Sequence, residues 1–137
     1  MANTPSTTQM VKLLLLALFN FIFTFCATAQ GGQKLNCDNP QTQAEMYACA
    51  SKAFQETDQK LNQIYKEVMA QLTPEQKTLL VKAQKSWLVV RDNHCKLYEH
   101  FYAGGSIMPL MVSNCARELT ENRVKELQMI LDELNMQ

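Results

Sequence analysis

Gln84-Lys85-Ser86-Trp87-Leu88-Val89-Val90-Arg91-Asp92-Asn93-His94-Cys95 is the stretch that decides how this chain folds. It holds the chain's only tryptophan and one of its three arginines. Trp87, Arg91 and Cys95 recur every fourth residue, so on a helix they share one face. Leu80, Ala83, Gln84, Tyr98 and Tyr102 extend that face by threes and fours, the pattern of a helix packed on a core. An arginine in the middle of an apolar stripe is the anomaly. A buried guanidinium cannot shed its charge, so it needs a carboxylate, backbone carbonyls or both.

The segment upstream offers a partner. Thr42 followed by Glu45 reads as a capping box and starts a helix. Its apolar positions are Met46, Tyr47, Ala50, Phe54, Leu61, Ile64, Tyr65, Val68 and Leu72, and Asp58 stands in the gap between Phe54 and Leu61. Thr73-Pro74-Glu75-Gln76 is a second capping box with proline at the first helical position. With only Leu72 and Thr73 between them, the two helices are expected to be antiparallel neighbours. Facing residues then have numbers summing to about 145, which places Asp58 opposite Trp87, one turn of roughly 5.4 Å from the level of Arg91. Asp58–Arg91 is the expected ion pair.

Downstream, Ala103-Gly104-Gly105 stops the second helix near Tyr102. Ser106 is the expected cap of a third helix with Pro109 in its first turn. Met111, Cys115, Leu119, Val124, Leu127, Ile130, Leu131 and Leu134 form its apolar set, with Arg123 close to it. The expected fold is all-α: a small antiparallel three-helix bundle stapled by two disulfides. It places Cys37, Cys49, Cys95 and Cys115 near one end. Short loops favour Cys37–Cys49 with Cys95–Cys115, while Cys49–Cys95 with Cys37–Cys115 also fits the helix register.

The two-disulfide reading rests on export. Lys12 precedes an apolar run from Leu13 to about Phe25, followed by Ala27-Thr28-Ala29, a small-x-small cleavage signature. Residues 1–29 therefore read as a cleaved signal peptide and 30–137 as a single helical domain, with Met1 or Met10 as the start. The apolar run falls short of the roughly 20 residues a membrane span needs, and Phe25 is too large to precede a lipidated Cys26. Removing the leader removes Cys26, leaving an even number of cysteines in an oxidising compartment. The expected location is periplasmic or secreted, with no stable membrane insertion after cleavage.

Composition narrows the function. Without Lys12, 13 − 1 = 12 basic residues face 13 acidic ones, a balance that gives no reason to expect nucleic acid as a partner. No cofactor motif is present. His94 and His100 are six apart and point to different sides of a helix, so no metal site is expected. No nucleophile–base set can be assembled once the cysteines are paired, so the chain does not read as an enzyme. Asp58 and Arg91 read as a structural ion pair. The exposed connection from Ala103 to Pro109, with Ser106, Ile107 and Met108 at its tip, is the candidate partner-binding loop.

These residues resemble a known family. The pattern is Cys37, Thr42-x-x-Glu45, Cys49, Asp58-x-x-Leu61-Asn62-x-x-Tyr65, Ala83-Gln84-x-x-Trp87-x-x-x-Arg91-Asp92-x-x-Cys95, Gly104-Gly105-Ser106, Cys115, Thr120-x-x-Arg123 and Leu127. It is similar to the small bacterial exported domain named after the lysozyme inhibitor LprI. The resemblance implies a disulfide-bonded helical envelope domain and, for some members, inhibition of host lysozyme. The expected function is thus non-enzymatic binding of another protein, with lysozyme as the candidate target. The alternative is an envelope stress, assembly or scaffold module without lysozyme inhibition.

Overall fold

Both capping boxes form as hydrogen-bonded units in a computed structural model of the chain, which describes residues 35–136. The proposed leader, residues 1–29, lies outside the described residues. Thr42 Oγ1 accepts from the Glu45 N–H at 3.1 Å while Glu45 Oε2 accepts from the Thr42 N–H at 3.2 Å, opening α1 (Gln43–Gln71). Thr73 and Gln76 repeat the exchange at 3.3 and 2.9 Å, opening α2 (Pro74–Phe101). Each box satisfies N–H groups that a helix start leaves without an intrahelical acceptor.

The third helix begins differently. α3 (Met108–Asn135) has Ile107 at its N-cap and no side-chain capping bond there. Ser106 is not its cap: it stands one residue before the N-cap position, and its hydroxyl accepts from Gln43 Nε2 at 2.8 Å. Pro109 still falls in the first turn, where its missing N–H costs nothing. The described residues form helices and turns, with no strand among them.

α1 and α2 run antiparallel, yet α1 packs most closely against α3, with α2 against α3 next. α1 and α3 run in the same direction, since Gln43 meets Ser106 at one end and Gln71 Nε2 donates to Asn135 Oδ1 at 3.1 Å at the other. α1 and α2 are antiparallel, as their short connection implies, and the closer approach of α1 to α3 follows side-chain size. Phe54, Trp87 and Arg91 fill the space where α1 and α2 meet and hold the backbones apart, whereas Val68, Thr120 and Leu127 let α1 and α3 approach.

The apolar core lies toward the α1–α2 turn. Leu61, Ile64 and Val68 of α1, Leu80 of α2, and Val124, Leu127 and Leu131 of α3 form it, with Tyr65, Met69, Leu72, Trp87 and Leu134 packed around. Three residues read as apolar-face positions are exposed instead: Met46, Ala83 and Ile130. Met46 lies in the first turn of α1, Ala83 and Ile130 at the margins of their stripes, where one step of 100° turns a side chain outward.

The opposite end is held covalently. Cys37 is bonded to Cys49 and Cys95 to Cys115. There the buried apolar residues are Ala50, Cys95 and Cys115, too small to make a core of their own.

Two outcomes test this layout. Leu127→Ala should cost about 2–5 kcal/mol in urea unfolding with the disulfides intact, because a fully buried leucine leaves both lost transfer energy and a cavity. Peptide mapping of the oxidised protein should recover Cys37 with Cys49 and Cys95 with Cys115, with no free thiol among the four.

Candidate functional site

Arg91 sits 13% exposed where the three helices meet, and its charge is met from two sides. The near partner is its own neighbour in sequence. Asp92 Oδ1 accepts from Arg91 Nε at 2.9 Å and lies 2.8 Å from Nη2. Asp58 Oδ1 stands 3.5 Å from Nη1, close enough for Coulomb attraction but without hydrogen-bond geometry. Its other oxygen accepts from Asn62 Nδ2 at 3.0 Å. Asp58 and Arg91 are thus brought together, with Asp58 as the looser of two carboxylates.

Two aromatic rings complete the surroundings of the guanidinium. Its central carbon lies 5.3 Å from the Trp87 ring centroid and 5.6 Å from that of Phe54. A second arginine joins from α3. Arg123 is 5.9 Å from the Trp87 ring, its Nε donates to Gln84 Oε1 at 3.0 Å, and its Nη1 pairs with Glu126 at 2.7 Å. Cation–π attraction contributes about 0.5–2 kcal/mol per contact depending on desolvation. The cluster therefore joins α1 through Phe54 and Asp58, α2 through Gln84, Trp87 and Arg91, and α3 through Arg123.

Sequence reasoning missed Asp92 as the tight partner, because consecutive helical residues do not face each other. The arginine side chain is long enough to fold back along its own helix. Arg123 carried a usable signal, its place near the apolar stripe of α3, but nothing in the spacing paired it with Trp87 and Gln84.

The chemistry of the cluster is that of a fastener. Its carboxylates hold arginines, and the cysteine nearest to it, Cys95, is in a disulfide. A cleft of about 250 Å³ lies beside it, bordered by Phe54, Asp92, Lys96, Glu99 and Val112. Among the described residues no group of three or more His, Cys, Asp or Glu is placed to hold a metal.

The candidate loop is an ordered turn. Tyr102 caps α2, Gly104 adopts φ +75°, which favours glycine, and the Gly105 N–H donates to Tyr102 O at 2.9 Å. A side chain at Gly105 would begin 3.1 Å from that same oxygen. Ser106 fastens the turn to the start of α1: its hydroxyl accepts from Gln43 and its carbonyl from the Tyr47 hydroxyl. Met108 is half-buried, and Ile107 is 43% exposed. Of the three loop residues, Ser106 braces, Met108 packs and Ile107 faces solvent.

The described residues thus form a helical bundle joined at its centre by arginines and at one end by disulfides. The chain belongs to the lysozyme inhibitor LprI family, whose model matches residues 36–127. It is also 30% identical over 123 residues to an uncharacterized protein of Rhizobium meliloti (strain 1021), covering 78% of this chain and 88% of that protein. No solved structure matches. The two disulfides fit a location outside the cytoplasm, and no helix among the described residues is long and apolar enough to cross a membrane.

The cluster makes a graded prediction. Asp92 and Asp58 are 66% and 41% exposed, so replacing either with alanine should cost less than about 1 kcal/mol. Arg91→Ala should cost about 2–3 kcal/mol, since it removes two cation–π contacts and a packed stem. Arg91→Lys should not restore it, because an ammonium lacks the planar face that lies against the rings. Urea unfolding of the four variants measures the order.

Proposed function

We propose that this protein is exported to the periplasm or beyond the cell, binds another protein there without catalysing a reaction, and inhibits lysozyme. The observation that carries this reading is membership of a family described as lysozyme inhibitors, matched over residues 36–127. The disulfides support the compartment, and the braced turn supports the mode of action. A turn tied to α1 through Ser106 and linked beneath by Cys95–Cys115 loses little conformational entropy when a partner covers it. Ile107 at its tip supplies an exposed apolar contact for a cleft.

The test adds the purified oxidised protein to lysozyme and follows clearing of a bacterial cell suspension. Slower clearing in proportion to the amount added is expected. Unaltered clearing at a large excess of protein would remove lysozyme as the target and favour an envelope assembly or scaffold role. Given inhibition, Ile107→Asp should weaken it at least about tenfold, ~1.4 kcal/mol, with the melting temperature nearly unchanged. Replacing Ile107 and leaving Ser106 intact keeps the bracing, so a loss reads contact and not collapse. Full inhibition by the folded variant would move the contact off the turn.

A further inference from the structure

Helix α2 carries an apolar stripe that no other described element covers. Leu79, Val90, Leu97 and Phe101 are 64%, 64%, 49% and 72% exposed. Ala83, Ser86 and His94, also exposed, fill the positions between them. The steps along the stripe are four, three, four, then four, three, four, so all seven residues share one helical face. None carries a permanent charge.

The order of spacings is the same read in either direction from Val90. Leu79 and Phe101 are equidistant from it, as are Ala83 and Leu97, and Ser86 and His94. We propose that α2 pairs with α2 of a second copy of this chain, antiparallel, about a two-fold axis at Val90. In that register the bulky Phe101 meets Leu79, the small Ala83 accommodates Leu97, and Ser86 faces His94, whose ring can exchange a hydrogen bond with the hydroxyl. Val90 meets Val90. A contact between identical surfaces has to match every residue with its counterpart across the axis, and this stripe does so.

The area suits a dimer of modest strength. The four large apolar side chains together expose on the order of 500 Å² in one copy, at the upper end of what a monomer usually leaves open. Covering them on both copies removes about 1,000 Å² from water, the lower limit for a specific protein–protein interface. The stripe spans about 33 Å of helix, so the pairing runs most of the length of α2.

Sedimentation equilibrium of the oxidised protein between about 1 and 300 μM tests the pairing. Mass should rise from one copy toward two across that range. Val90→Glu with Leu97→Glu should hold it at one copy with unchanged thermal unfolding, since both side chains are exposed and outside the core. Val90→Cys should cross-link to itself on mild oxidation, and Val89→Cys, exposed but off the stripe, should not. Leu79→Cys should cross-link with Phe101→Cys when the two variants are mixed. A single-copy mass at every concentration overturns the proposal, as does a dimer indifferent to the glutamates or one in which Val89→Cys links as well as Val90→Cys. A monomeric wild type whose lysozyme inhibition is lost with Val90→Glu would assign the stripe to a different protein and overturn it too. The mass readout is independent of lysozyme, so failure of the inhibitor reading leaves this one standing or falling by itself.

Discussion

The Arg91 guanidinium is the constraint around which the bundle is arranged. A permanently charged group 13% exposed among helices must keep its counter-charges and still shed most of its water. The chain meets both requirements by keeping the carboxylates near solvent and giving the cation aromatic neighbours. Asp92 and Asp58 stay hydrated, so their desolvation cost is small, and Phe54 and Trp87 cover the planar group. The consequence is geometric. The rings and the arginine set how far α2 stands from α1, and α3 takes the closer place beside α1.

That spacing explains why the two ends of the bundle are stabilised by different means. Toward the α1–α2 turn, seven buried apolar residues, Val68 and Leu127 the most buried among them, form one cluster. Past the arginine cluster the buried apolar residues are the small Ala50, Cys95 and Cys115, and the disulfides take over. Each closes a short loop, with sequence separations of 12 and 20, and loops of this size lower the entropy of the unfolded chain by about 3 kcal/mol each. A domain of this length has little core to spare. Cross-links at the end that lacks one are therefore a replacement for burial, and reduction should loosen that end before the other.

The helices were legible because each is announced locally. The two capping boxes involve residues three apart, and the glycine turn needs only Gly104's left-handed conformation. Legibility fell off where tertiary geometry decides. Ser106 has the chemistry of a cap, but Gln43 and Tyr47, some sixty positions away in sequence, claim its hydroxyl and carbonyl. Asp58 is on the right face to meet Arg91, yet the arginine turns back to Asp92 because a flexible side chain is not bound by helical spacing. The close pairing of α1 with α3 was hidden because connection length reports which helices are antiparallel and not how near they come. Ala83 and Ile130 failed as core positions for a related reason, since a residue at the margin of a stripe is inside or outside according to where the third helix lies.

The residues that carry the family resemblance are mostly those that hold the helices together. Cys37, Cys49, Cys95 and Cys115 cross-link, Thr42 and Glu45 cap, and Asp58, Gln84, Trp87, Arg91, Asp92 and Arg123 form the central fastener. Leu61, Leu127 and Thr120 are buried. A pattern made of such residues specifies a scaffold, and a packed residue cannot also touch a partner without unfolding. The exposed groups outside the pattern include Ile107 on its turn and Met129 beside the apolar groove. Ile107 and Met129 lie outside the buried core, so changes there cost the fold little. Surface substitutions leave a packed scaffold intact, so one frame is compatible with different exposed faces.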